Sequence, residues 1–195
     1  MCEDAIASAA KALLTGDNEI LGTVFNTDRD IDRQARDIEA LCMKLLLQQQ
    51  PVAKDLRMIS AALKMVSDME RIGDQASDIA EICKFVSGNE TAGGVHIEDM
   101  ARATIKMVTD SINSFVDKDI NIAKKVIDDD DIVDDLFNKV KEELISLIGN
   151  NPQNGETYID MLMIAKYFER IGDHATNIAE WVEFAMTGYY KGELL

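Results

Sequence analysis

From Ile59 the apolar and small residues recur as Ile59, Ala62, Val66, Met69, Gly73, Ala76, Ala80 and Cys83, in alternating steps of three and four. That spacing holds one stripe along one side of an α-helix and predicts a heptad seam packed against partner helices. Met65, Ile72 and Ile79 widen the stripe on one side. Two further seams read the same way: Leu21, Val24, Ile31, Ala35, Ile38, Cys42, and Ala123, Val126, Val133, Phe137, Val140. Breakers stand at Thr15-Gly16-Asp17, at Gln50-Pro51, across "SGNETAGGV" (87–95), at 117–119 and across "GNNPQNG" (149–155). Between them the pattern predicts helices over about 2–15, 18–49 and 52–86, then about 96–116, 120–148 and 156–186.

The two sets of three helices repeat one another. "ERIGDQASDIAE" at 70–81 returns as "ERIGDHATNIAE" at 169–180, identical at nine of twelve positions. In the second helices Asp17 aligns with Asp119, Asp28 with Asp130, Ile31 with Val133, Asp32 with Asp134 and Ile38 with Val140. The chain therefore reads as an internal duplication, and the fold class as all-α, a tandem pair of three-helix bundles with six long helices. Residues 1–88 form the first bundle, 89–95 a linker, 96–187 the second bundle and 188–195 a C-terminal tail. The bundles are expected side by side about a pseudo-twofold axis, each third helix being on the order of 50 Å long.

Composition narrows the partners. Hydrophobic residues make up 47% of 195, enough for a sizeable core, and 6% aromatics with two prolines suit bundled helices. A net charge of -16 repels nucleic acid and anionic membrane surfaces alike, and favours cations and basic protein patches. Cys2, Cys42 and Cys83 form no CxxC pair, and their odd number fits a reduced cytoplasm better than a disulfide framework. The acidic N-terminus does not resemble a secretory signal, and no apolar run is long enough to insert in a bilayer, so the expectation is a soluble protein.

The carboxylates carry the candidate chemistry. Glu70, Asp74 and Asp78 climb one face of a helix at four-residue steps, outside the seam, as do Glu169, Asp173 and Asn177. Like charges so spaced repel, and Arg71 and Arg170 point about 100° further round the helix, leaving the ladder in need of a cation. In the second helices Asp28 and Asp130 fill a core-facing gap in the seam, with Asp32 and Asp134 one turn on. An ionised carboxylate in such a slot is costly unless paired or metal-bound. Two helices each offering carboxylates at i and i+4 form an all-oxygen site for more than one hard cation. A solvated charged face is the competing reading, though it has no need to repeat the same residues or to place Asp on a seam.

Other motifs are absent: there is no GxxxxGK[ST], HExxH or GxSxG. His174, inside the second motif, is an outer ligand or a packing residue, and His96 is isolated. A di-iron or di-manganese oxidase built in a helical bundle is an alternative that normally needs Glu-x-x-His, which does not occur here. A metal-free helical scaffold is the second alternative, and it leaves the acidic seam positions unexplained.

The duplicated unit, the "ERIGD" followed by "DIAE" or "NIAE", the "QQQPVAKDLR" at 48–57 and the paired DxxxD motifs together resemble the PhoU family of phosphate-signalling proteins. The resemblance covers nearly the whole chain. It implies a cytoplasmic, non-enzymatic regulator of phosphate uptake. Such a protein restrains the ATPase of a phosphate-specific ABC transporter and quiets a phosphate-sensing histidine kinase when phosphate is plentiful. It also implies a homodimer and multinuclear clusters of iron, manganese or magnesium, with zinc and calcium as further candidates, held through E(D)xxxD motifs. By position, Asp28, Asp32, Glu70, Asp74 and Asp78 would hold one cluster, and Asp130, Asp134, Glu169, Asp173 and Asn177 the other. Two departures stand out. The first helix begins at Met1, about six residues short of its repeat partner, which suggests a frayed or shortened start. Asn177 replaces an acid and weakens the second set by one charge.

Overall fold

A computed structural model describes residues 1–86 and 95–194, so the expected linker at 89–95 falls, save Val95, outside the described residues. The six expected helices are present: α1 (Cys2–Thr15), α2 (Asn18–Gln49), α3 (Lys54–Cys83), α4 (Ile97–Asp117), α5 (Ile120–Asn150) and α6 (Gly155–Thr187). Each half is a three-helix bundle, and the third helices α3 and α6 form the most extensive contact in the molecule. α1 also packs on α4, joining the halves along a second line.

The repeat extends to the helix caps. Asp17 begins α2 by accepting from the Glu19 backbone N–H at 2.9 Å, and Asp119 begins α5 by accepting from that of Asn121 at 2.8 Å. In each case a carboxylate satisfies an N–H that has no intrahelical partner. The residue before each cap is left-handed, Gly16 at φ 67 and Lys118 at φ 55.

The seams are buried much as their spacing predicts. Val66, Gly73, Ala76, Ala80 and Cys83 are buried on α3, with Met65, Ile72 and Ile79 beside them. One expectation fails. Ile38 is 38% exposed, whereas its repeat partner Val140 is fully buried. The first turn of α4, through Ile97 and Met100, reaches into the second bundle's core at that end. α1 starts lower, and Ile38 instead borders an apolar depression with Met1, Cys2 and Val66. The three cysteines are free and buried.

The tail differs from a simple extension. Gly188, at φ 87, ends α6, and Tyr189–Tyr190 pairs antiparallel with Glu193–Leu194 around a Lys191-Gly192 turn, both of whose residues have positive φ. Tyr190 stacks on Trp181 with ring centroids 4.1 Å apart, and Lys191 Nζ lies 3.0 Å from Glu180, so this hairpin is fastened to α6. No described helix is long and apolar enough to cross a membrane.

Candidate metal centre

The four-residue spacing of Asp28 and Asp32 puts both on the side of α2 that meets α3, where Asp74 approaches them. One carboxylate oxygen from each of Asp28, Asp32 and Asp74 lies within 4.8 Å of the other two. Gly73 makes the approach feasible. A Cβ at that position would stand 3.0 Å from Asp28 Oδ1 and 3.1 Å from Ile31 Cδ1, so only a bare Cα leaves α2 room to carry a carboxylate over α3.

Asp28 Oδ1 is buried and accepts no hydrogen bond from any described residue. A carboxylate oxygen so placed is costly unless something cationic satisfies it. Burial pushes the Asp28 carboxyl above the usual carboxylate range and the charges of Asp32 and Asp74 push it further, while a hydrogen bond from the Ser77 hydroxyl to the carboxyl opposes them. Three hard oxygen donors on two helices, one of them buried and unsatisfied, fit a divalent or trivalent cation of the magnesium, manganese, calcium or iron kind.

The acidic ladder on α3 does not face a single way. Residues four apart are separated by about 400° of helix, so each step drifts about 40° round the axis. Glu70 flanks the converging three one turn before Asp74 and is half-buried. Asp78, one turn after, stands between two surroundings. Burial raises its carboxyl, Glu81 and Asp74 add to that, and the Arg170 guanidinium and Tyr167 hydroxyl of α6 oppose it. Nor does Arg71 point wholly away, because its Nη1 reaches back to Asp74 Oδ2 at 3.2 Å, an i,i+3 contact on the exposed side.

The second set has the same plan and a looser geometry. A Cβ on Gly172 would lie 3.7 Å from Asp130 Oδ1, an ordinary contact distance. Asp130 and Glu169 are half-buried while Asp134 and Asp173 are exposed, and among the described residues no three carboxylates here converge as Asp28, Asp32 and Asp74 do. Burial raises the Asp130 and Asp173 carboxyls, and Lys166 opposes the shift at Asp173. Lys166 also forms an ion pair with Glu169. The i,i+3 spacing in "KYFER" was the readable signal for that pair.

Asn177 and His174 turn toward α3. The Asn177 side-chain amide donates to Asp68 Oδ1 at 3.3 Å, and His174 Nδ1 lies 2.9 Å from the same oxygen. Asn177 therefore occupies the α3–α6 seam in the place that Asp78 takes opposite Tyr167. The repeat explains the exchange, since Asp68 is the partner of Tyr167 in the aligned motifs and would repel an acid at 177.

A family model described as the PhoU domain matches residues 1–83 and 97–182, one copy on each half. The chain is 33% identical over 186 residues to the phosphate-specific transport system accessory protein PhoU homologue of Deinococcus radiodurans, covering 92% of this chain and 85% of that one. It is 38% identical over 171 residues to the protein of the same name from Aquifex aeolicus, covering 87% and 77%. The crystal structure of PhoU from Pseudomonas aeruginosa superposes with a TM-score of 0.91 at 31% identity, over 96% of this chain and 91% of that one. That of the phosphate transport system regulatory protein PhoU from Streptococcus pneumoniae gives 0.86 at 26% identity, over 100% and 90%. With a domain match on each bundle and relatives of this identity spanning nearly its full length, the chain belongs to the PhoU family.

Proposed function

We propose that this chain is a metal-binding, non-enzymatic accessory of a phosphate-specific transport system, working at the cytoplasmic face as a homodimer. It restrains the transporter through its ATPase and quiets a phosphate-sensing histidine kinase when phosphate is plentiful. The names of its relatives support the phosphate-transport role. The observation that carries the metal reading is the convergence of Asp28, Asp32 and Asp74 around an unsatisfied, buried Asp28 Oδ1.

Asp28 and Asp32 from α2 and Asp74 from α3 would hold the first cation, with Glu70 and Asp78 flanking it. Asp130 and Asp134 from α5, with Glu169 and Asp173 from α6, are the corresponding donors of the second. A bound cation supplies positive charge where the bundle concentrates carboxylates, and joins the two helices that carry them. The protein's own residues set the geometry: Gly73 admits the Asp28 carboxylate, and the buried Ile31 of α2 and Ile72 of α3 belong to one core that holds the two helices together. The acidic exterior favours a basic docking surface on the partner, through contacts that weaken with salt.

The experiment is a phosphate-starvation reporter in cells lacking this protein. The reporter should stay on in phosphate-rich medium, the parent chain should silence it, and a chain carrying Asp32→Asn with Asp74→Asn should not. A pull-down with the parent chain in low salt should recover the transporter's ATPase or the kinase. A reporter indifferent to the chain in rich medium would overturn the regulatory reading.

A further inference from the structure

The two carboxylate sets, aligned by the repeat, differ most in what lies beside them. At the position of Lys166 the first half has Ser67, at that of Phe137 it has Ala35, and at that of Lys141 it has Glu39. The second half has thereby gained two ammonium groups and an aromatic ring at the edge of its acidic set, where the first half has a hydroxyl, a methyl and another acid.

The three replacements act together. Lys166 Nζ stands 5.4 Å from the Phe137 ring centroid and Lys141 Nζ 5.9 Å, so the ring offers its negative face to both cations. Lys166 also pairs with Glu169, whose side chain is only 14% exposed. In the first half the cation–ring pair and the ion pair are separate: Lys84 Nζ lies 4.5 Å from the Phe25 ring and, with Arg29, lines the hollow beside Asp28, but among the described residues neither cation forms an ion pair with the set. Arg71 meets Asp74 where the two side chains are 66% and 40% exposed, on the solvent side of the ladder. A contact at a shielded carboxylate is screened less than one in water.

We propose that Lys166 is the built-in counter-ion of the second carboxylate set, lowering that set's affinity for divalent cations so that the Asp28, Asp32 and Asp74 set fills first. This rests on the metal reading above and adds an order of filling to it. The two halves of the duplication then have different duties. The first set depends on an added cation, while the second carries part of its neutralisation in the chain and takes metal only when the cation is abundant or when Lys166 is drawn elsewhere. Lys166 is thus a specificity-determining residue, and Phe137 positions it.

The test is Mn²⁺ titration of the full chain by calorimetry and by the loss of the free-ion electron paramagnetic resonance signal. Parent, Lys166→Ser, Ser67→Lys and Asp28→Asn proteins are compared, with circular dichroism confirming the fold of each. The parent should show a tighter and a weaker class of site, and Asp28→Asn should remove the tighter one. Lys166→Ser, which installs the first half's own residue, should tighten the weaker class by roughly tenfold or more, the effect of removing one nearby charge from a partly shielded site. Ser67→Lys should weaken the tighter class in the same measure. If Asp28→Asn abolishes tight binding while Lys166→Ser leaves the weaker class within about twofold of the parent, the counter-ion role is wrong and the metal reading stands. Should neither the parent nor Lys166→Ser take up Mn²⁺, both fall together.

Discussion

Gly73 lies directly beneath Asp28, whose Oδ1 is 3.0 Å from the point a Cβ at residue 73 would occupy. The same relationship in the second half is relaxed, with Gly172 leaving 3.7 Å to Asp130 Oδ1 and 3.4 Å to Val133 Cγ1. The contrast makes one substitution informative in two places. An added methyl at 73 must push the Asp28 carboxylate and the Ile31 side chain aside by a few tenths of an ångström, an overpacking of about 1 to 3 kcal/mol that the gain of Gly to Ala inside a helix, about 1 kcal/mol, offsets only in part. A methyl at 172 meets ordinary contacts, and Gly to Ala inside a helix gains up to about 1 kcal/mol. Urea unfolding should therefore find Gly73→Ala destabilised and Gly172→Ala unchanged or slightly stabilised. Equal losses at both positions would show that the tight approach at Asp28 is not a feature of the molecule.

Asn177 gives a second test, because sequence and structure assign it different work. As a member of an acidic ladder it is one missing charge, and restoring the acid would be expected to strengthen a metal site. Its side-chain amide instead donates to Asp68 across the α3–α6 seam. Asn177→Asp places two carboxylates at that distance and removes the donor, so it should cost roughly 1 kcal/mol at neutral pH. It should leave Mn²⁺ affinity unchanged, and Asp68→Asn in the same chain should restore stability. A clear gain in metal affinity from Asn177→Asp would return the residue to the second set.

Much of this architecture was legible because helices declare themselves by period. The seams, breakers and duplicated motif located six helices to within a few residues, and the aligned Asp17 and Asp119 proved to be matching caps. What escaped depended on neighbours distant in sequence. Ile38 fits the seam, yet its burial is decided by how far α1 extends alongside it. Asp78 and Asn177 fit the ladder, yet a 40° drift per step carries them toward α6, which no local pattern reveals. The hairpin at the C-terminus was signalled only by Gly188 and the Lys191-Gly192 pair, and two-residue strands leave no alternation to read. Of the site, the Asp28, Asp32 and Asp74 grouping follows from spacing, whereas Lys166 lies outside the repeated motif that marks Glu169.

The final prediction concerns protons and metal competing for one charge deficit. Asp28, Asp78, Asp130 and Asp173 all have carboxyls raised above their ordinary value, burial being the largest cause at each. A folded state with raised acid pKa values binds protons more tightly than the unfolded chain. The stability this provides is complete below the ordinary carboxylate value and is lost as pH rises through the folded values. Metal-free protein should accordingly melt at a progressively lower temperature as the pH rises from about 4, the ordinary carboxylate value, toward neutrality, the opposite of a protein held together by its ionised carboxylates. Mn²⁺ should close the gap, because a cation that binds only the folded state stabilises by mass action and takes the proton's place at high pH. Asp28→Asn removes the buried charge without changing the side chain's shape. It should raise the melting temperature of the chelated protein at pH 7, flatten the pH dependence, and abolish most of the gain from Mn²⁺. Calorimetric melting of both proteins, with chelator and with Mn²⁺ across this pH range, decides the matter. A chelated parent that grows steadily more stable from pH 5 to 7 would mean that the ladder is neutralised by the chain itself and has no need of a cation.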